Sequence, residues 1–113
     1  MRSSPGTVQH IVLFKFPRAL TPEEEKEMTD QVRAWPEKIG GMTDIRFGAD
    51  LTGARSRGYQ YLLVEQFADE AGLSAYATHP GHVAFADWVH GLGCEELAFD
   101  YVLGADTVIL DAG

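Results

Sequence analysis

Residues 8–16, which read VQHIVLFKF, decide the fold because apolar side chains stand on both sides of this one segment. Successive side chains of a strand point to opposite faces, so the alternation predicts a β-strand. A sheet built on such a strand needs a cover on each side. One face carries Val8, His10, Val12, Phe14 and Phe16. The other face carries Gln9, Ile11, Leu13 and Lys15.

A helix start follows this strand in the segment TPEE at residues 21–24. The threonine fits an N-cap, the proline fits the first helical position, and the second glutamate closes a capping box. We expect Pro36 to weaken or end this helix and Gly40-Gly41 to complete its stop. Helical spacing predicts a buried stripe of Met28, Val32 and Trp35.

Three further strands are predicted, at residues 42–48, 59–67 and 96–103. A polar loop with two glycines, residues 50–58, separates the second strand from the third. One face of the third strand is predicted to carry Tyr59, Tyr61, Leu63 and Phe67. The other face is predicted to carry Gln60, Leu62, Val64 and Gln66.

Two more helices are predicted between the third and fourth strands. Asp69 fits the N-cap of a helix that runs to His79, and Pro80 fits the first position of the helix that follows. The resulting order of strands and helices is typical of a ferredoxin-like split βαβ pair, an α+β fold. It predicts a four-stranded antiparallel sheet with its helices on one face.

The other face of this sheet is too apolar to meet water, since the patch exceeds the few hundred Å² that monomers commonly expose. Covering about 800 Å² per partner contributes roughly 20 kcal/mol before association costs. We therefore expect a homodimer that forms a dimeric α+β barrel. The chain is predicted to be one domain, residues 1–113, with a core of about 8–102 and an extension at 103–113. Within that extension, residues 107–110 (TVIL) fit an edge strand or an arm onto the partner.

Composition excludes several classes of partner. The chain of 113 residues carries a net charge of −8, which disfavours nucleic acid and anionic membranes. We expect no membrane span and no secretory signal, and the single cysteine fits the reducing cytoplasm. No zinc spacing and no nucleotide-binding or nucleophile motif is present, so no metal or cofactor is predicted.

The segment from Tyr76 to His82 is the one most suited to chemistry. Pro80 places His82 in the first turn of a helix, where the positive end of the helix dipole disfavours imidazolium. A neutral imidazole can act as a general base, and the Tyr76 hydroxyl can hold a substrate oxygen. The alternative is that His79 and His82 only satisfy backbone groups at a helix junction.

Other polar and aromatic residues are candidates for contact with a ligand. His10 and Asp100 lie within apolar strands, where each needs a hydrogen-bonding partner, and the Asp100 carboxylate is suited to orienting a histidine. A structural role for both residues stays open. The predicted substrate-binding set is His10, Tyr61, Phe85, Trp88 and Asp100.

Four segments together resemble the stress-responsive A/B barrel (Dabb) family, and the resemblance covers roughly residues 8–102. It implies a dimeric α+β barrel. A polyketide-cyclising member has its catalytic histidine at the position of His82 and a supporting tyrosine at the position of Tyr76. A histidine in another strand of that enzyme is Tyr61 here. The segments are HIVLFKF (10–16), Gly58-Tyr59, HPGHV (79–83) and FDY (99–101).

Three functions remain open at this point. The first is a cofactor-independent cyclase or lyase that closes a polyketide-like substrate by aldol-type acid–base catalysis, with His82 and Tyr76 facing an elongated apolar pocket. The second is a non-catalytic, stress-responsive binding protein with a filled interior. The third is a cofactor-independent monooxygenase, a chemistry found on similar dimeric barrels.

Overall fold

The structure is a computed structural model that describes residues 6–104 and 106–110. Its strands and helices follow one another in the order that the sequence predicts. The strands β1 to β4 span Val8–Lys15, Met42–Ala49, Tyr61–Phe67 and Glu95–Val102. The helices α1 to α3 span Pro22–Lys38, Glu70–Thr78 and Pro80–Gly91.

The strands form one antiparallel sheet in the order β2-β3-β1-β4. Strand β1 pairs with β3 and β4, and β3 pairs with β1 and β2, so β1 and β3 occupy the centre. This order and the helices on one face confirm the predicted ferredoxin-like α+β fold with a four-stranded antiparallel sheet.

Helix α1 begins with the predicted capping box. The Thr21 hydroxyl accepts a hydrogen bond from the Glu24 backbone N–H at 3.1 Å, and the Glu24 carboxylate accepts one from the Thr21 N–H at 2.9 Å. Of the two effects expected of Pro36, ending the helix is wrong, because the helix continues to Lys38. Pro36 lies in the last turn, where the missing N–H removes a single intrahelical bond. The helix stops at Gly40, whose φ of 75° is left-handed.

The helix-facing side of the sheet holds the hydrophobic core. The predicted stripe of α1 is confirmed, because its three members are at most 5% exposed. Full burial of each such side chain contributes roughly 1.5–3 kcal/mol. The core comprises Val12, Phe14, Phe16, Met28, Val32, Trp35, Tyr61, Leu63, Phe67, Tyr76, Phe85 and Val89.

The opposite side of the sheet, called here the outer face, carries the apolar residues that the β1 alternation predicts. Ile11 lies between Val64 and Phe99 in the register of the sheet. One step along, Leu13 lies between two leucines, Leu62 and Leu97. Phe99 is 63% exposed and Leu97 is 51% exposed in the single chain. The outer face is therefore an apolar surface that helices do not cover.

The third strand starts two residues later than predicted. The Tyr59 N–H donates to the Ser56 carbonyl in a turn, so it does not join the sheet. The Gln60 side chain instead accepts a hydrogen bond from the Phe16 N–H at 2.7 Å. A side-chain amide thus replaces one backbone bond of the sheet at this edge.

The predicted edge strand at residues 107–110 does not form. The Thr107 N–H donates to the Gly104 carbonyl in a turn, and no strand is present between 106 and 110. Val108 is 82% exposed and Leu110 is 80% exposed, so residues 6–104 leave these two side chains largely uncovered. The predicted arm onto a partner remains a prediction. Residues 105 and 111–113 of the extension lie outside the described residues.

Candidate functional site

The junction of α2 and α3 positions the histidines of the HPGH segment. His79 ends α2 and caps α3, with an extended backbone (φ −65°, ψ 137°) of the kind that a following proline favours. Its Nδ1 accepts a hydrogen bond from the Gly81 N–H at 3.0 Å. The His79 side chain therefore serves as a helix cap, which is the structural alternative predicted for it.

His82 occupies the third position of α3, in its first turn, as predicted. Its Nδ1 lies 3.0 Å from the Ala77 carbonyl oxygen. A carbonyl only accepts, so a neutral His82 carries its proton on Nδ1 and keeps a lone pair on Nε2. Burial is the main cause that lowers the pKa of His82, while the Ala77 carbonyl opposes this effect. The imidazole is thus neutral at pH 7 with its basic nitrogen free.

Tyr76 stands directly against His82. The two ring centroids are 4.4 Å apart, and the Tyr76 side chain is 2% exposed. Trp35 packs on both rings, with its centroid 5.5 Å from Tyr76 and 6.1 Å from His82. Burial first, and then the charge of Glu65, raise the pKa of the Tyr76 hydroxyl above its ordinary value. Tyr76 therefore stays protonated and can donate a hydrogen bond.

A row of titratable residues crosses the sheet beneath Tyr76. Glu65 on β3 pairs in register with His10 on β1, and His10 pairs with Asp100 on β4. Paired residues of adjacent strands share a face, so all three lie on the helix-facing side. The Asp100 carboxylate contacts His10 Nδ1, and the His10 ring lies 5.9 Å from the Tyr76 ring. The structure thus brings His10 and Asp100 to the Tyr76–His82 pair.

Glu65 is a residue of this site that the sequence analysis missed. It is 0% exposed, and neither carboxyl oxygen has a hydrogen bond of normal geometry to the described residues. Burial raises the pKa of Glu65 to about 7, and the neighbouring Tyr76 hydroxyl works against that rise. The signal was present in the sequence: alternate residues from 59 to 67 form the apolar face of β3, and Glu65 is its one acidic member.

Tyr61 does not join the site. Its hydroxyl donates to the Glu25 carboxylate at 2.6 Å, and its ring stacks on Phe47 with the centroids 5.8 Å apart. Tyr61 is four residues from Glu65 along β3, a distance of about 13 Å. The predicted contact between Tyr61 and a ligand stays a prediction.

Phe85 and Trp88 form the packing behind the site. Phe85 is 2% exposed and lies 4.9 Å from the Trp35 ring and 6.0 Å from the Phe14 ring. Trp88 is half-buried, with its ring 6.4 Å from that of Phe85. Phe85 contacts the Trp35 ring that packs on His82, and Trp88 contacts Phe85. The predicted contact of both residues with a ligand stays a prediction.

The site is open on the side of β4. Ala98 and Asp100 point to the same side as His10, yet both are exposed because no helix covers this edge strand. A small molecule can approach the His10–Asp100 pair from there. The rings of Trp35, Phe67 and His82 pack around Tyr76, and the elongated pocket expected beside His82 stays a prediction.

A separate cleft of about 440 Å³ lies at the other end of the sheet, against the outer face. Leu13, Leu62 and Val64 form its floor, and Arg46 and Tyr59 are at its rim. It contains neither His82 nor Tyr76. Its position identifies it as part of the apolar outer face and not as part of the histidine site.

The described residues offer neither a metal site nor a membrane span. No cluster of three or more histidine, cysteine or acidic side chains in residues 6–104 and 106–110 has the geometry for a metal ion. No helix in these ranges has the length and apolar character needed to cross a membrane. Burial raises the pKa of the Cys94 thiol to about 11, so it is not a thiolate at neutral pH.

These elements define a ferredoxin-like α+β domain with a histidine–tyrosine pair at the junction of two helices. The sequence profile described as "Stress responsive A/B Barrel Domain" matches residues 8–103. The chain belongs to this family, as its motifs predicted.

Two named relatives align with most of this chain. Olivetolic acid cyclase from Cannabis sativa is 27% identical over 95 residues, which are 83% of this chain and 94% of that protein. The stress-response A/B barrel domain-containing protein HS1 from Arabidopsis thaliana is 26% identical over 102 residues, which are 89% and 94%.

A solved structure shows the same architecture. The crystal structure of a dimeric ferredoxin-like protein of unknown function from Thermobifida fusca YX has a TM-score of 0.73 and 28% identity. The match covers 86% of this chain and 91% of that chain. The proteins similar to this chain thus include a named cyclase, a stress-response protein and a structure of unknown function.

Proposed function

We propose that this chain is a homodimeric enzyme that works by acid–base catalysis without a cofactor. Its substrate is a small, oxygenated, partly apolar molecule of the polyketide type, and its reaction is an aldol-type ring closure. The observation that carries the proposal is the contact of His82 Nδ1 with the Ala77 carbonyl, which leaves Nε2 as the basic nitrogen of a ring whose centroid is 4.4 Å from that of Tyr76. The similarity to olivetolic acid cyclase supports this reaction class, although 27% identity does not define the substrate.

The chemistry divides between the two residues. His82 Nε2 takes a proton from a carbon next to a carbonyl group, and Tyr76 donates a hydrogen bond to the oxygen that becomes negative. The carbanion attacks a second carbonyl of the same molecule, and the His82 imidazolium returns its proton to the new alkoxide. A positioned base contributes about 10²- to 10⁴-fold in rate, and an oxyanion donor about 10²- to 10³-fold.

The homodimer follows from the outer face. Leu97 and Phe99 are more than half exposed in the single chain, and three structural relatives are described as dimeric. A second copy placed sheet to sheet buries this surface and creates a twofold barrel. The single Cys94 also favours a cytoplasmic location, which we include in the proposal.

Exchange of a carbon-bound hydrogen tests the proposal without knowledge of the natural substrate. The probes are acetophenone and a set of alkyl 3-oxo esters in D₂O, and NMR follows the loss of the α-hydrogen signal. We expect the protein to accelerate exchange of at least one probe and His82→Ala to reduce this by at least about 10²-fold. The matched control is Val83→Ala, because Val83 follows His82 on the same helix and its side chain is 43% exposed and uncharged.

The control variant should exchange at the wild-type rate, and both variants should stay dimeric. Equal exchange by wild type and His82→Ala would contradict the role of His82. Absence of catalysed exchange across the whole set would favour the second candidate, a non-catalytic binding protein. The observation in favour of that candidate is the filled interior around Tyr76 and Trp35.

A further inference from the structure

The buried carboxyl of Glu65 has no place in the reaction described above. It sits in the central strand β3 with 0% exposure and without a hydrogen-bond partner of normal geometry in the described residues. Buried polar groups in folded proteins almost always have such partners, and the exceptions call for a specific explanation.

The groups that face Glu65 come from each element packed on it. On β1 the residue opposite is His10, which is engaged with Asp100 on the next strand. On β2 the residue opposite is the apolar Ile45. On the helix side it is Tyr76 of α2, and His82 of α3 lies behind that ring.

One of these neighbours is coupled to Glu65 more directly than the others. Burial is the main cause that raises both pKa values, and the Tyr76 hydroxyl is close enough to Glu65 to oppose the rise at Glu65, while the Glu65 charge adds to the rise at Tyr76. The two groups make no hydrogen bond of normal geometry in this structure. No ion pair joins Glu65 to His10 among the described contacts. Glu65 therefore acts on the site chiefly through the phenol of Tyr76.

We propose that Glu65 is a positioning residue that determines the direction in which the Tyr76 hydroxyl donates its hydrogen bond. This inference rests on the proposed function, because it specifies when Tyr76 can hold a ligand oxygen. Glu65 itself is not expected to touch the ligand.

Two states follow from the hydrogen-bonding capacity of each group. A protonated Glu65 carboxyl donates to the Tyr76 oxygen, so the Tyr76 proton is free to bind a carbonyl or enolate oxygen of the ligand. An ionised Glu65 has no proton to donate and accepts the Tyr76 proton instead, so the ligand loses its donor. The change of state releases one proton to solvent and alters no covalent bond between heavy atoms.

A neutral carboxylic acid in an apolar site is an established way to supply a hydrogen-bond donor near neutral pH. Burial raises the pKa of Glu65 to about 7, so both states are populated near pH 7. The base, His82, has a pKa below its ordinary value and is neutral there. The site is thus competent between an acid limit set by His82 and an alkaline limit set by Glu65.

NMR of the protein without any ligand tests this coupling. The tyrosines are labelled with ¹³C at the ζ carbon, whose shift reports hydrogen bonding of the hydroxyl, and Tyr76→Phe identifies the Tyr76 signal. We expect this signal to titrate once, with a midpoint near pH 7, in wild type. In Glu65→Gln the amide N–H₂ donates to Tyr76 at every pH, so the signal should not titrate. Glu65→Met should also abolish the titration.

A Tyr76 signal that does not titrate in wild type would overturn the inference. A titration that persists in Glu65→Gln would assign it to His10 or His82 and would also overturn the inference. Neither outcome depends on catalysis.

The pH dependence of probe exchange separates this inference from the proposed function. Above pH 7 the protein-dependent rate of wild type should fall by up to about tenfold per pH unit, whereas Glu65→Gln should keep its rate. Titration of Tyr76 without any catalysed exchange would support the Glu65 switch and contradict the enzyme. Exchange that falls equally in both proteins would contradict the switch and support the enzyme.

Discussion

The buried Glu65 should make the folding stability of this protein fall as the pH rises through neutrality. Its pKa in the folded state is about 7 against an ordinary value of 4.5, because burial disfavours the carboxylate. The folded state therefore holds a proton that the unfolded chain releases, and raising the pH from about 4.5 to 7 costs stability. The contribution is fully present below pH 4.5 and is lost above pH 7.

The size of this loss follows from the two pKa values. The interval between 4.5 and about 7, at about 1.4 kcal/mol for each pH unit, amounts to roughly 3 kcal/mol per protomer. Replacing Glu65 by Gln removes the titrating group and keeps its shape. At pH 8.5 we expect Glu65→Gln to be more stable than wild type by roughly 3 kcal/mol, and at pH 4.5 by much less.

Urea unfolding at fixed protein concentration, repeated from pH 4.5 to 8.5, measures this difference. The concentration must be fixed because a dimer gains apparent stability as it becomes more concentrated. The matched control is Glu37→Gln, which removes an exposed carboxylate from α1 and should follow the wild-type pH dependence. His82 titrates in wild type and in both variants, so its effect cancels when their free energies of unfolding are subtracted. Wild type and Glu65→Gln losing stability in parallel would refute the account of Glu65.

Two further predictions concern the assembly and the first helix. Phe99→Asp should raise the dimer dissociation constant by at least about 10²-fold in sedimentation equilibrium, because each copy loses roughly 1.5–3 kcal/mol of apolar burial. The control Val83→Asp changes a residue of α3 that is 43% exposed, and it should leave the dissociation constant unchanged. Equal effects of the two substitutions would contradict the sheet-to-sheet interface. Thr21→Ala should lower the free energy of unfolding by about 1 kcal/mol, because it removes the capping box of α1. Thr29→Ala, in the middle of the same helix, should not lower it. An unchanged free energy of unfolding in Thr21→Ala would show that the cap contributes nothing.

The fold could be predicted because its signals are local and mutually consistent. Alternation in residues 8–16 identified a strand with two apolar faces, and the TPEE segment identified the start of α1. Both hold in the structure, since they depend on the direction of side chains and on backbone groups nearby. The effect of Pro36 on the helix was harder to predict, because a proline in the last turn removes only one hydrogen bond and does not end the helix.

The site could be predicted only in part. The spacing of Tyr76, Pro80 and His82 was sufficient to place both side chains at one helix junction. The role of Tyr61 stays a prediction, because a resemblance in sequence matches a strand residue without giving its distance from the histidine. Glu65 could not be assigned to the site from the sequence, because a charged residue in a strand is normally expected on the solvent-facing side. The register of β1, β2 and β3 shows that it lies on the helix-facing side, beneath Tyr76.

The central claim is that His82 presents an unprotonated Nε2 beside Tyr76 at neutral pH. Long-range ¹H–¹⁵N NMR of the ¹⁵N-labelled protein at pH 7, with His82→Gln to identify the signals, measures this state directly. We expect Nδ1 of His82 to resonate in the protonated range and Nε2 in the unprotonated range, because the Ala77 carbonyl holds the Nδ1 proton. A His82 imidazolium at pH 7, or a proton on Nε2 alone, would contradict the proposed base.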